Sequence, residues 1–127
     1  LLPRADWLII ACPLTPETRG LIGTDMLARM PKGARIINVA RGEIIDETAV
    51  VAALGNGQLV GAYLDVFEQE PLPSESPLWN LPNVIVSPHN SGSAAGNDNR
   101  VYRMFIANLE RWQSGAALTN EVVLASS

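Results

Sequence analysis

Apolar residues along the chain gather into four short, near-continuous runs: Trp7 to Ala11, Ala34 to Val39, Val60 to Val66 and Val84 to Ser87. Runs this short, unbroken by polar alternation, predict strands covered on both faces of a parallel sheet. Segments of helical period lie between them. Thr24 to Met30 predicts a short helix with Thr24 as its N-cap and Pro31 as its stop. Glu47 to Leu54 predicts a clearer helix. Asp46 caps it, Val50, Ala53 and Leu54 form its apolar face, and Gly55-Asn56-Gly57 ends it. Strands that alternate with helices imply right-handed crossovers and an α/β fold.

The third connection, Glu68 to Pro82, breaks this rhythm. It carries prolines and glutamates, has no helical period, and is long enough to predict a functional loop. After the fourth run, Ala94 to Ser114 predicts a long amphipathic helix ended by Gly115. Its stripe of Val101, Met104, Phe105, Leu109 and Trp112 reads as core packing. The last dozen residues read as a tail.

Composition narrows the possible functions. The chain has 127 residues, 47% of them hydrophobic, enough to bury one core. The net charge of −4 and the scattered nine Lys and Arg residues supply no basic stripe to release counterions from a nucleic acid. No apolar run approaches the roughly 18 residues of a membrane span, and no signal-peptide pattern opens the chain. Cys12, the single cysteine, reads as a small buried hydrophobe in a reducing cytosol. One histidine and one cysteine argue against a zinc site, so no metal is expected. No Gly-x-Gly-x-x-Gly follows any strand. Gly92-Ser93-Ala94-Ala95-Gly96 opens a helix, but with the wrong glycine spacing for a pyrophosphate turn.

Chemistry gathers after the predicted strands. Arg41, Glu70 and His89 each follow an apolar run, and ligands of open α/β sheets bind beyond the carboxyl ends of the strands. Arg41 offers a planar, two-pronged donor suited to a carboxylate; the plainer alternative is a surface pair with Glu43. His89 is the side chain best suited to exchange protons near neutrality. Its plainer alternative is a histidine satisfied by hydrogen bonds at a helix start. Glu70 reads as a solvated loop carboxylate or as the acceptor of the second N–H of His89. Asp65 is the odd charge in an apolar strand, costly there unless it caps a loop or meets a polar ligand group.

Taken together these residues fall into longer motifs. Asn38-Val-Ala-Arg-Gly42, Leu64-Asp-Val-Phe-x-x-Glu-Pro-Leu-Pro73, Leu81-Pro-Asn-Val84 and Ser87-Pro-His-x-Ser-Gly92 follow in order. The opening Ala5-Asp-Trp-Leu-Ile-Ile-Ala-Cys-Pro-Leu-Thr-Pro-Glu-Thr-Arg-Gly-Leu-Ile22 precedes them. With these motifs the chain resembles the D-isomer-specific 2-hydroxyacid dehydrogenases, which include the glyoxylate/hydroxypyruvate reductases, phosphoglycerate dehydrogenase and D-lactate dehydrogenase. The resemblance runs over about residues 3 to 115.

The resemblance implies an α/β fold: the second half of a doubly wound parallel (Rossmann-type) sheet plus a long C-terminal helix. Residues 1–93 would be the C-terminal half of an NAD(P)-binding domain, and 94–127 an interdomain helix and tail. The substrate domain and the first half of the nucleotide-binding sheet would be absent. Arg41 matches the family's substrate-binding arginine, Glu70 its histidine-partner glutamate and His89 its acid–base histidine. Asp65 matches the aspartate near the nicotinamide carboxamide. Pro13, Ala40, Arg41, His89 and Gly92 fall on segments that line the cofactor, NAD or NADP.

The implied reaction is hydride transfer between that cofactor and a small 2-oxo or D-2-hydroxy acid of the glyoxylate or hydroxypyruvate type. The expected protein is cytoplasmic and homodimeric, pairing through an exposed strand edge near Trp7 to Ala11. Because the chain starts past the phosphate-binding turn, it is expected not to turn over substrate alone. Two alternatives stand beside the enzyme: a binding module of the corepressor type that shares the dehydrogenase fold, and a non-functional truncated remnant.

Overall fold

The computed structural model describes residues 1–122. They fall into two compact units, one of Leu1–Gly92 and one from Ser93 onward. The first unit holds a four-stranded sheet in the order β1-β2-β3-β4. These strands are Trp7–Ile10, Ala34–Asn38, Leu59–Leu64 and Val84–Val86. Every neighbouring pair is parallel. Helix α1, Thr24–Ala28, joins β1 to β2, and α2, Glu47–Gly55, joins β2 to β3.

Strand order that steps steadily in one direction, with right-handed crossovers, sends α1 and α2 to the same face. That face is the core. Ile10, Ala34, Ile36, Leu59, Ala62 and Leu64 of the sheet pack with Leu27, Val50, Ala53 and Leu54 of the helices. The other face is bare within this unit, with Trp7, Ile9, Arg35 and Ile85 exposed. The Arg35 guanidinium lies 5.0 Å over the Trp7 ring, so its apolar stem and flat head shelter part of that face. The expectation of strands covered on both faces is therefore corrected. The runs are apolar throughout, but among the described residues both crossover helices pack on one face.

The element ends also differ in places. The third strand stops at Leu64, so Asp65 is the first residue beyond it rather than a charge inside it. Helix α1 is only five residues long and is capped by Gly23, with no side-chain cap from Thr24. Asp46 does cap α2, its carboxylate accepting from the Ala49 N–H at 3.0 Å. Cys12 is half-buried at the edge of the core rather than within it. The Glu68–Pro82 connection carries a short 3₁₀ turn, Pro77–Asn80, whose Leu78 plugs into the core.

The second unit is one helix, α3, Asn97–Gln113, with a short return. Gly115, at φ 70°, ends it, and the Ala116 N–H reaches back to the Arg111 carbonyl at 2.9 Å, a Schellman closure. The Asn108 side chain then clasps Thr119 through both its backbone N–H and its C=O. No residue of α3 is buried. The expectation that its stripe is core packing is corrected: Val101, Phe105 and Trp112 are exposed. Among the described residues of this unit no second layer packs on the helix's apolar face. The end of the predicted tail, residues 123–127, lies outside the described residues.

Candidate active site

Parallel strands end on one edge, and every strand of the first unit delivers a candidate residue within three positions of its last residue. Pro13 follows β1, Ala40 and Arg41 follow β2, Asp65 follows β3 and His89 follows β4. Topology alone thus gathers residues that lie far apart in sequence.

The turn after β2 is shaped by Asn38, which is fully buried. Its Oδ1 accepts from the Ala40 N–H at 3.1 Å, and its Nδ2 donates to the Arg41 carbonyl at 3.0 Å. This local clamp folds the backbone over and projects the Arg41 side chain outward. The guanidinium donates to the Ala40 carbonyl and is otherwise exposed. Glu43 is not its partner, because Glu43 faces Arg19 at 3.8 Å. Among the described residues Arg41 forms no ion pair, so its remaining donors are available to an anion.

Gly42 continues this turn against the segment that carries Glu70. A Cβ on Gly42 would fall within 1.9 Å of the Phe67 carbonyl carbon and 2.3 Å of the Glu68 nitrogen. Two backbones meet there at a distance only glycine allows. Glu47 fixes the same segment by accepting from the Glu68 N–H at 2.6 Å. Burial pushes the Glu47 carboxyl up, the Glu68 hydrogen bond opposes this, and the nearby Glu68 charge adds to the rise. Glu70 itself accepts from the Phe67 N–H through Oε1 at 3.0 Å and meets His89 Nδ1 through Oε2 at 2.8 Å.

That last contact defines the chemistry. The hydrogen bond to His89 is the main reason the Glu70 carboxyl sits below its ordinary value; burial opposes it and the Phe67 N–H assists. Glu70 is therefore a carboxylate at neutral pH and can only accept. The proton on Nδ1 must belong to His89, so the neutral ring keeps its lone pair on Nε2. An imidazole held this way takes or gives a proton at Nε2 while its other nitrogen stays fixed. An apolar depression of about 670 Å³ opens beside the pair, walled by Phe67, Leu72, Trp79, Val86 and Pro88.

Asp65 is fully buried. Burial alone would push its carboxyl up, but hydrogen bonds from Ser87, Ser91 and Asn90 outweigh it and hold the group well below the usual carboxylate range. Oδ1 receives Ser87 Oγ and the Asn90 N–H at 3.0 Å, and Oδ2 receives the Ser91 N–H at 2.8 Å. The buried carboxylate is thus satisfied within the chain, by one hydroxyl and two backbone N–H groups. Pro13 and Gly92 are exposed on the same unit, and a Cβ on Gly92 would meet nothing within 4 Å.

The structure therefore joins Glu70 to His89, and Asp65 to the turn that carries His89. It leaves Arg41 apart from both, with only a backbone partner. Sequence reasoning missed Asn38, Gly42 and Glu47. The polar residue near the end of the second apolar run was the signal for Asn38, and the glycine following Arg41 was the signal for Gly42. No signal marked Glu47, which contacts Glu68 only in the folded chain.

A parallel sheet whose carboxyl edge presents a carboxylate-held imidazole is laid out as open α/β sheets that bind ligands there are. Residues 1–91 match the family described as D-isomer specific 2-hydroxyacid dehydrogenase, NAD binding domain, and the chain belongs to that family. Glyoxylate/hydroxypyruvate reductase B of Citrobacter koseri is 52% identical over 89 residues, which cover 70% of this chain and 28% of that protein. The chain thus spans just over a quarter of the curated relatives it matches.

Solved structures agree on the fold. A D-isomer specific 2-hydroxyacid dehydrogenase from Xanthobacter autotrophicus Py2, in complex with NADPH and MES, superposes with a TM-score of 0.88 at 43% identity. The match covers 96% of this chain and 50% of that one. D-mandelate dehydrogenase of Rhodotorula graminis gives a TM-score of 0.88 at 32% identity, covering 98% of this chain and 37% of that one.

Proposed function

We propose that this chain carries the acid–base residues, and one half of the cofactor site, of a dehydrogenase that moves hydride between NAD or NADP and a small 2-oxo acid. The substrate would be of the glyoxylate or hydroxypyruvate type. The observation that carries this reading is the 2.8 Å His89–Glu70 pair at the carboxyl edge of the sheet, in a chain of the dehydrogenase family.

The residues present fit a nicotinamide cofactor. Asp65, whose carboxylate lies just past β3, would meet an amide N–H such as that of a carboxamide. Pro13 and Arg41 are exposed within three residues of the ends of β1 and β2, with Ala40 beside Arg41, and Gly92 is exposed beyond β4; these would line the cofactor. When bound, the nicotinamide supplies or removes the hydride.

The chain's own residues do the rest. Arg41 grips the substrate carboxylate, which fixes the 2-oxo carbon in place. His89 gives the proton from Nε2 as negative charge builds on the carbonyl oxygen, and takes it back in the reverse direction. Glu70 keeps Nδ1 protonated and the ring oriented through the transfer. Residues 1–93 would form the second half of the nucleotide-binding domain, and 94–127 the interdomain helix and C-terminal tail.

Two measurements test this. The purified chain is expected to show no steady NADH or NADPH oxidation with glyoxylate or hydroxypyruvate; steady turnover would refute the need for the segments its relatives carry. Substituting the matched segment into the Citrobacter reductase is expected to yield an active enzyme on those two acids. A folded chimera that binds cofactor but reduces neither would overturn the assignment. Among the described residues β1 pairs on one side only, and pairing of its other side with a second copy would be detected as a dimer by sedimentation velocity.

A further inference from the structure

His89 sits in a turn that needs holding. Its φ is 52°, a left-handed conformation sparsely populated by residues other than glycine. Its own N–H donates to the Asp65 carbonyl at 2.9 Å, and the two following N–H groups donate to the Asp65 carboxylate. The turn is therefore wrapped around a single buried side chain.

That side chain is itself held from behind. Ser87 Oγ touches both Asp65 Oδ1 and the Tyr63 hydroxyl, the latter at 2.8 Å. A serine has one hydroxyl proton. An ionised carboxylate can only accept, so the Ser87 proton goes to Asp65, and the Tyr63 hydroxyl must then donate to Ser87 Oγ. The direction is fixed along the whole chain: Tyr63 to Ser87, Ser87 to Asp65, with the backbone of 90–91 closing on the same carboxylate. Geometry makes this possible because Tyr63, on β3, pairs with Ile85 on β4. Two residues further along, Asp65 and Ser87 face one another past the strand ends. Tyr63 lies on the sheet face that α1 and α2 do not cover.

We propose that Tyr63 and Ser87 are positioning residues for His89. Their relay locks the Asp65 carboxylate, which holds the 87–91 turn and sets the imidazole against Glu70. The proposal deepens the reading of His89 as the acid–base group and rests on it, but its test needs neither ligand nor turnover. A failure of the dehydrogenase assignment would leave the outcome unchanged.

The test uses the full 127-residue chain with Ser87→Ala, Ser87→Thr and Tyr63→Phe. Two NMR readouts follow them. Hydrogen exchange at the Asn90 and Ser91 amides reports the turn. The ¹³C titration of the Glu70 carboxyl reports the ring, because contact with His89 is what chiefly depresses it. Exchange at Ala49, capped by Asp46 on α2, serves as the remote control.

Ser87→Ala is expected to speed exchange at Asn90 and Ser91 about tenfold and to move the Glu70 titration back toward its ordinary value. Tyr63→Phe is expected to do the same by about threefold, since it removes one neutral hydrogen bond further from the turn. Ser87→Thr, which keeps the hydroxyl, is expected to restore both. The proposal fails if Ser87→Ala leaves Glu70 and the two amides where they were. It fails equally if the threonine does not rescue, or if Ala49 exchange rises as much as that of the turn. Should the alanine variant not fold, Tyr63→Phe decides alone, and unchanged readouts there overturn the proposal.

Discussion

Replacing Asp65 with asparagine tests how much of the site's order depends on one buried charge. The substitution keeps shape and removes one acceptor oxygen. With its carbonyl at the Oδ1 position, the introduced side chain still receives Ser87 Oγ and the Asn90 N–H, but its amide then faces the Ser91 N–H, donor against donor. Hydrogen bonds to charged groups contribute about 1.5–3 kcal/mol each, and neutral ones about 1. Losing one and weakening two predicts a cost of about 3 kcal/mol at pH 7.

The pH dependence has a definite sign. The Asp65 carboxyl lies below its ordinary value of 3.8 in the folded chain. Its contribution is therefore complete above 3.8 and is lost only as the pH falls from there toward the lower folded value. The gap between parent and Asp65→Asn should be constant from about pH 7 to 5 and close in strong acid. Urea unfolding measures it, followed by fluorescence on a Trp112→Phe background so that Trp7 and Trp79 report the first unit. At a slope of about 1–3 kcal/mol per molar, the midpoint should fall by about 1–3 M. A variant within about 0.5 kcal/mol of the parent at pH 7, or a gap that widens in acid, refutes the reasoning.

Other expectations follow from the same geometry. Gly42→Ala forces a Cβ into the Phe67–Glu68 backbone and should cost about 3 kcal/mol, a melting temperature lower by about 12 °C or more in calorimetry. Asp46→Ala removes the α2 cap and should cost about 1 kcal/mol in the same assay, with the sheet's amide exchange pattern retained. Glu70 is depressed from 4.5, so its contribution is present above that pH and is lost as the pH falls through its lower folded value. Glu70→Gln should therefore differ from the parent at neutral pH, and the difference should shrink as the pH falls below about 4.5 when followed by urea unfolding.

Much of this arrangement was legible in the chain. Short apolar runs identified all four strands, because a parallel sheet core needs Ile, Leu and Val whatever lies around it. The residues after those runs come to one edge of the sheet, since parallel strands end together. What the sequence could not carry was which face each strand buries. Trp7, Ile9 and Ile85 are as apolar as Ile10 and Ile36, and the common hand of the two crossovers sends both helices to the face of the latter. The α3 stripe misled in the same way: helical periodicity shows that a face seeks cover, not that cover exists. Glu43 was a plausible partner for Arg41 by proximity in sequence, but the turn sends it to Arg19. Asn38 and Gly42 act through backbone contacts that leave little mark on composition or period.

The central claim is that His89, held by Glu70, moves the proton in reduction of a 2-oxo acid. The most direct test is the Citrobacter reductase chimera carrying the matched segment of this chain, compared with the same chimera bearing His89→Gln. Rates of NADPH and NADH oxidation with hydroxypyruvate would be measured at equal cofactor occupancy. The predicted result is a drop of about a hundred- to ten-thousand-fold with cofactor affinity unchanged. An active chimera whose glutamine variant keeps its rate within about tenfold would contradict the account.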